Sequence, residues 1–425
     1  MWVLSLQAAP TSAYVHVPFC RRRCHYCDFA IVPVGHSSRV VRGQTAKHVQ
    51  PPPPPSTTLD TLYVDAVLRE IAHDRRRLEE AGVGFPALQT LYIGGGTPSL
   101  LALSALERLL EALPLALDAE VTLEMDPGTF DADRARAYRS LGVNRASVGA
   151  QSFDDEVLWR CGRTHNSHDI ALAVEALHQA GFGDRFSLDL ISGLPGVDAP
   201  RWHRTLEQLM RYRPPHVSIY DLSIEPGTLF ARWQRDRTLT FPAEEQAAEM
   251  YRRAVHVVAQ RHGYDHYEVS NYARDSRHRC RHNAVYWRGE PYWGWGLSAS
   301  SFVDDMRVER PRRLSDYLEW VRDGCLPSEA VRGGDLDEWL MLRLRTKEGV
   351  GIGAVCERFG VPVGDAVERA AQRLVSGGLL QRYAQGGDVA LRATDPDGFL
   401  LLSYVLVELL VDVEKILSIG MSNAR

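Results

Sequence analysis

The stretch Tyr14-Val-His-Val-Pro-Phe-Cys20-Arg-Arg-Arg-Cys24-His-Tyr-Cys27-Asp-Phe29 decides how the rest of the sequence is read. Three of the chain's seven cysteines fall within it, spaced C-x3-C-x2-C, directly after a short apolar run that ends in proline. The other four, Cys161, Cys280, Cys325 and Cys356, are scattered singly. Three thiols so close together cannot all pair with one another, and the odd total argues against a secreted disulfide framework. Thiolates gathered at one point need a soft cation between them, so an iron–sulfur cluster or zinc is the expected occupant. A structural zinc takes four protein ligands, and His16 or His25 would have to supply the last. A cube held by three cysteines instead keeps one iron open to a ligand that is not protein.

The totals set the frame for that site. A chain of 425 residues is long enough for a large core plus a second unit, and 45% hydrophobic with 24% charged residues is ordinary for a globular protein. A net charge of −5 gives no electrostatic reason to expect nucleic acid. No apolar run is long enough to span a bilayer; the nearest, 399–411, is interrupted by Glu408. Residues 1–12 lack both the basic region of a secretory signal and the Arg-rich character of a transit peptide. The implied compartment is reducing and reads as cytoplasmic, with an organelle (mitochondrion or plastid) left open.

Beyond the cysteines, 35–58 changes composition abruptly and contains Pro51 to Pro55, five prolines in a row. Such a run forms stiff polyproline II and reads as an exposed insertion. From Leu59 onward helix and strand signals alternate. Helical spacing marks 63–81, 103–113, 169–180, 201–212 and 243–262. Apolar strand runs mark 88–93, 120–126, 144–149, 186–191, 216–222 and a last one at 265–271. This alternation predicts an α/β fold with a parallel sheet of βα units, open or closed into a barrel. Ligand sites in such sheets lie at the carboxyl ends of strands. The cysteine loop, Gly94-Gly-Gly-Thr97, Glu124, Gln151 and Asp189 all fall at or just past predicted strand ends. After 327 the pattern turns helical at 336–344, 352–359 and 366–375, followed by a Gln385-Gly-Gly hairpin, an order that resembles a winged helix. The acidic start Asp335, Asp337, Glu338 makes packing or protein contact the expected role there. The predicted layout is a tail at 1–13, a barrel with its extension at 14–300, a helical and winged domain at 301–398, and a tail at 399–425.

With the cysteines and strand ends in view, the sequence resembles the radical S-adenosylmethionine (SAM) enzymes, whose signature is C-x3-C-x-aromatic-C. The resemblance implies a partial (β/α)6 barrel and a 4Fe-4S cluster on Cys20, Cys24 and Cys27 whose open iron is chelated by SAM. Carried over residue by residue, it implies that Tyr14, Tyr26, Gly95, Gly96, Thr97, Glu124, Gln151, Arg163 and Asp189 line the SAM pocket. Physically, glycines bare the backbone to a ligand, a carboxylate at Glu124 suits hydroxyls or an amine, and Arg163 suits a carboxylate. Asp126 reads equally well as a helix cap. Asp189, an acid in an apolar strand, needs a polar partner or a ligand.

The likeness narrows across 14–344. YVHVPFC, the glycine run, Gln151-Ser-Phe, Asp189-Leu-Ile-Ser-Gly-Leu-Pro-Gly and Ile224-Glu-Pro-Gly-Thr are similar to the oxygen-independent coproporphyrinogen III oxidase superfamily. The decarboxylating oxidase carries a further cysteine soon after the triad, where this chain has Asp28-Phe29. HemW-type heme chaperones have C-D-F there and a later H-N-x-x-Y-W, present here as His282-Asn283-Ala-Val-Tyr286-Trp287. That resemblance implies heme as a ligand, acceptor hemoproteins and an electron donor as partners, and His282, Asn283, Tyr286 and Trp287 at the heme. An imidazole can ligate heme iron and aromatic faces suit a porphyrin, with Cys280 as a rival ligand. Porphyrin biosynthesis by SAM radical chemistry is the alternative function, and a zinc-stabilised scaffold the non-enzymatic one. Bacterial members usually follow with G-x-G-x-G-A-H, whose histidine is absent from Gly294-Trp-Gly296-Leu-Ser298-Ala-Ser300.

Overall fold

The computed structural model describes residues 9–35, 58–326 and 330–423. The proline run therefore lies outside the described residues. Two compact units divide the chain: Met1–Phe186 with Ile224–Leu239 and Pro291–Val331, and Ser187–Ser223 with Thr240–Glu290 and Arg332–Arg425.

In the first unit four strands, Ser12–Val17, Leu88–Gly95, Leu115–Met125 and Arg145–Gln151, pair in parallel in that order. A fifth, Trp293–Trp295, joins in parallel on the free side of Ser12–Val17. Parallel strands are covered on both faces, which is why their sequences are nearly continuous apolar runs. Val15, Leu91, Ile93, Leu123 and Val148 are all buried. Helices Leu59–Glu80, Leu103–Glu111 and Ala132–Ser140 link the strands, the last capped by Asp131, which accepts from Arg134 N. Asp126 is thus not the capping acid; Asp131 does that work. Because the strands are parallel, Val17, Gly95, Met125 and Gln151 end on one edge of the sheet, and the loops after them meet there.

Behind this edge sits a buried polar network. Glu70 Oε1 accepts from Arg310 Nε at 2.7 Å, and Oε2 accepts from Tyr317 OH at 2.7 Å and Gly296 N at 2.9 Å. Asp74 accepts from the Trp295 indole at 3.0 Å. Tyr63 OH accepts from Leu297 N and donates to His16 O at 2.6 Å, tying the network to the strand that leads into the cysteine loop.

In the second unit Phe186–Ser192 pairs in parallel with His216–Asp221. The single last strand expected at 265–271 is instead a hairpin, Asp265–Glu268 and Asn271–Ala273, which adds antiparallel to His216–Asp221. The reversal is local: Glu268 Oε1 accepts from Ser270 N at 3.3 Å and from the Asn271 amide, which folds the chain back on itself. The helix expected at 243–262 forms as Glu244–Ala254 and widens into a π-helical stretch over Val255–Arg261.

The winged arrangement is present as well. Helices Ile352–Phe359 and Val361–Ser376 precede a hairpin, Leu380–Gln385 with Asp388–Ala393, and Val350–Gly351 pairs with Asp388–Ala393, which becomes the central strand. Residues past Phe399, unplaced by sequence, form a helix over Leu402–Asn423 that packs on Val361–Ser376. It buries Val405, Leu409 and Val413, a four-residue spacing legible in the sequence.

Candidate functional site

The cysteine loop leaves the first strand through Pro18 and a short strand, Phe19–Cys20, which pairs in parallel with Val32–Pro33 and closes the loop's base. The three arginines between Cys20 and Cys24 then clip it down. Arg21 donates to Gly128 O at 2.8 Å, Arg22 to Gly162 O and Arg163 O at 2.5 and 2.8 Å, and Arg23 to Cys27 O and Phe29 O at 3.1 and 2.9 Å. His25 adds two more ties, its backbone N–H to Cys161 O and its Nδ1 to Arg160 O at 2.7 Å. Its ring stands edge-on to Trp233 at 4.8 Å.

All three thiols are free and half-buried. Burial pushes the Cys20 thiol up to about 12 and raises Cys27 as well, outweighing the Thr97 hydroxyl at Cys20 and the Phe29 N–H and Arg23 at Cys27. Hydrogen-bond donors are nevertheless aimed at the sulfurs. Thr97 Oγ1 reaches Cys20 Sγ at 3.6 Å, and Arg163 Nη1 reaches Cys24 Sγ at 3.5 Å and Tyr26 OH at 3.4 Å. Such a set fits a thiolate-ligated cluster. It does not fit the zinc alternative, because the two histidines proposed as fourth ligand are engaged. His16 Nε2 donates to Ala30 O at 3.0 Å while its Nδ1 faces Tyr14 OH at 3.1 Å, and His25 is held as above. Among the described residues no three His, Cys, Asp or Glu side chains converge on a single ion. A cubane binds each thiolate at a different iron and asks for no such convergence.

The glycine run serves close packing. Gly95 adopts φ +113°, and a Cβ on it would lie 2.5 Å from the His16 ring. A Cβ on Gly96 would lie 2.8 Å from the Pro18 and Phe19 carbonyl groups. Only glycine lets this turn and the cysteine loop approach so nearly. Its N–H groups are already spoken for: Gly95 N donates to Glu124 Oε2 at 2.8 Å, Gly96 N to Val17 O and Thr97 N to Phe19 O. These donors hold the glycine turn against Glu124 and the cysteine loop.

Glu124 also accepts from Tyr92 OH at 2.9 Å, and Tyr92 stacks on Tyr14 at 6.2 Å between centroids. The residue that sequence reasoning undervalued is Asp126. It forms an ion pair with Arg163 and accepts from Thr97 Oγ1 at 3.2 Å. Its spacing of two from Glu124 is the signal, since alternate residues of a strand share a face. Arg163 also donates to Gly149 O at 3.0 Å. Burial opposes its charge, but Asp126, Tyr26 and Cys24 outweigh burial and hold the guanidinium protonated. Gln151 ends its strand at φ +63°, a conformation costly for a residue with a Cβ. Its amide lies against Gly149, as Arg163 does. Tyr14, Tyr26, Gly95, Gly96, Thr97, Glu124, Gln151 and Arg163 thus all belong to the first unit, around one strand edge.

Burial lowers both His16 and His165 to about 4. Both are neutral in the folded chain, while the unfolded chain protonates them near pH 6.5. Stability is therefore full above about pH 6.5 and falls as pH drops toward about 4. At pH 5 each histidine is expected to cost roughly 2 kcal/mol. Denaturant unfolding at pH 7 and pH 5 checks this; H165Q should show a shallower decline, and an unchanged midpoint in the parent chain would refute it.

The other predicted residues lie in the second unit. Asp189 accepts from Ser187 Oγ at 2.7 Å, and Ser187 contacts His216 Nδ1 at 2.9 Å. His216 Nε2 meets Tyr267 OH at 2.7 Å. His282, Asn283, Tyr286 and Trp287 sit on the helix Arg281–Trp287. His282 is buried, with Nε2 at 2.8 Å from Tyr286 OH, and the Arg345 guanidinium lies 3.9 Å above the Trp287 ring. Cys280, also buried, precedes this helix and donates its N–H to Tyr267 OH.

Residues 14–209 match the model of the Radical SAM superfamily. The chain is 42% identical over 351 residues to "Heme chaperone HemW" of Synechocystis sp., covering 80% of this chain and 79% of that protein. The chain belongs to the HemW family. A HemW protein of Escherichia coli is 36% identical over 329 residues, covering 74% of this chain and 78% of its own. The mouse relative, "Radical S-adenosyl methionine domain-containing protein 1, mitochondrial", is 36% identical over 366 residues, covering 81% and 76%. Among solved structures, coproporphyrinogen III oxidase (HemN) from Escherichia coli superposes with a TM-score of 0.74 over 96% of this chain and 91% of that one. At 22% identity the likeness to HemN establishes the radical SAM fold alone. HemW members are thus what this chain resembles most of the way along, and the α/β architecture with a helical C-terminal region is the one expected from sequence. No described helix is long and apolar enough to cross a membrane.

Proposed function

We propose that this chain carries a 4Fe-4S cluster on Cys20, Cys24 and Cys27, binds SAM beside it, and binds heme for delivery to acceptor hemoproteins. The observation that carries the reading is the 42% identity, across four fifths of the chain, to a protein named as a heme chaperone. When bound, a cluster with an open iron supplies a coordination site for SAM and an electron to it. This chain's own part is positional. Arg21, Arg22 and Arg23 fix the loop, while Thr97 and Arg163 aim donors at two of the sulfurs. Glu124, held by Tyr92 and Gly95, is proposed for the ligand's hydroxyl or amine groups, with Tyr14, Tyr26, Gly96 and Gln151 around it. Asp189 stays a proposed SAM residue on the strength of the resemblance.

His282, Asn283, Tyr286 and Trp287 are proposed for heme. In the folded chain His282 is paired with Tyr286, so ligation through Nε2 requires that hydrogen bond to open. Mitochondrial location in a relative's name keeps an organelle beside the cytoplasm among the proposed locations. An electron donor to the cluster remains a proposed partner.

Two measurements test the reading. After anaerobic reconstitution the parent chain should hold about four irons and four sulfides, and C20A, C24A and C27A should each lose the brown absorbance. Anaerobic heme titration should saturate in the parent chain and weaken in H282A. If the reconstituted parent binds no heme, the chaperone reading falls. The alternative, oxidative decarboxylation of coproporphyrinogen III, is then assayed directly. It is not favoured, because Asp28 follows Cys27 and the likeness to HemN concerns fold.

A further inference from the structure

The end of the helix Leu336–Leu344 carries two arginines whose donors are incompletely used. Arg345 gives Nε and Nη2 to Glu268 Oε2 at 3.3 and 3.2 Å, which lays the guanidinium flat, 3.9 Å over the Trp287 ring. Its Nη1 has no acceptor among the described residues. Beneath it, the Trp287 indole N–H is buried with no partner. Arg343, two residues earlier, gives Nη2 to Arg288 O at 3.0 Å, so it touches the end of the same His282 helix. Its Nε is also buried without a partner. Burial lowers its basicity; Glu290 opposes this, but Glu290 is itself held by Arg288, and the cations Arg288 and Arg358 add to the lowering. Cations at a helix C-terminus complement the helix dipole. That accounts for arginines at this position but not for the unmet donors on Trp287 and Arg343.

Buried donors without partners mark a place where an acceptor group belongs. Arginine presents its donors as a fork that matches a carboxylate, and a neighbouring indole N–H adds a third donor to the same acceptor. Heme carries two carboxylates on one edge of a flat ring. We propose that Arg345, with the Trp287 N–H, and Arg343 receive the propionate carboxylates of heme and so fix its orientation against the Arg281–Trp287 helix. The inference rests on the proposed heme binding and deepens it by assigning specificity for the carboxylates.

The test titrates hemin and its dimethyl ester, which lacks the two charges, into the full chain by absorbance. Charge-assisted hydrogen bonds contribute about 1.5–3 kcal/mol each, so the parent chain should prefer hemin by roughly ten- to a hundred-fold. R345Q is made together with E268Q, since Glu268 is fully buried and would otherwise lose its cation. R343Q leaves the Arg345–Glu268 pair in place and guards against a folding failure of the double variant. Each should weaken hemin about tenfold or more and leave the diester unchanged, and R345K should rescue only part of the preference. Equal discrimination in parent and variants would overturn the carboxylate assignment while heme binding stood. Absence of saturable hemin binding by the parent would overturn both.

Discussion

Replacing Arg310 with alanine is expected to lower the unfolding free energy by about 3–5 kcal/mol, the cost of stranding a buried charge. Glu70 and Arg310 are both nearly inaccessible, with side-chain exposures of 1% and 4%. Without the guanidinium, Glu70 keeps only Tyr317 OH and Gly296 N, two neutral donors, against full burial. Burial already raises the Glu70 carboxyl, and Arg310 is the largest influence opposing that rise. The double variant E70Q/R310M removes both charges of the pair, leaves Asp74 its ion pair with Arg77 and should retain most of the lost stability. Urea unfolding of the three proteins decides the matter, and a loss below about 1 kcal/mol in R310A would show that the pair is replaceable by solvent. The effect reaches the cysteine loop through consecutive amides. Gly296 N is held by Glu70 and Leu297 N by Tyr63 OH, and Tyr63 in turn grips His16 O.

The second large effect is expected at Asp126. Its substitution by alanine leaves Arg163, 7% exposed, with Gly149 O as its remaining backbone acceptor. A loss of about 3–5 kcal/mol is again expected, but here a cofactor readout accompanies it. Arg163 aims one nitrogen at Cys24 Sγ only because Asp126 and Gly149 O hold the other, so D126A should lower iron per chain after reconstitution. D126N keeps an acceptor at the same place and should fall between parent and alanine on both scales. Full iron content in D126A would show that the arginine finds its geometry without the acid.

The sequence by itself determined the architecture of the parallel strands and which residues gather at their carboxyl ends. Strands buried on both faces must be apolar throughout, and sites in such sheets gather at carboxyl ends, so period and length were sufficient. That the cysteine loop, the glycine run, Glu124 and Gln151 come together was legible because parallel strands end on one edge, whereas Arg163 reaches them from beyond the helix Asp155–Arg160. The fork of Arg163 was visible, but its partner was not, since Asp126 looks the same in sequence as a capping acid until Asp131 is seen to cap the helix. The hairpin at Asp265–Ala273 escaped for a related reason: its turn depends on Glu268 accepting from residues two and three further on. Tertiary structure alone decided the network of Glu70 with Arg310 and the stacking of Arg345 on Trp287. These pair residues 240 and 58 positions apart in the chain, and no local periodicity records which buried charge meets which, because that choice is made by packing.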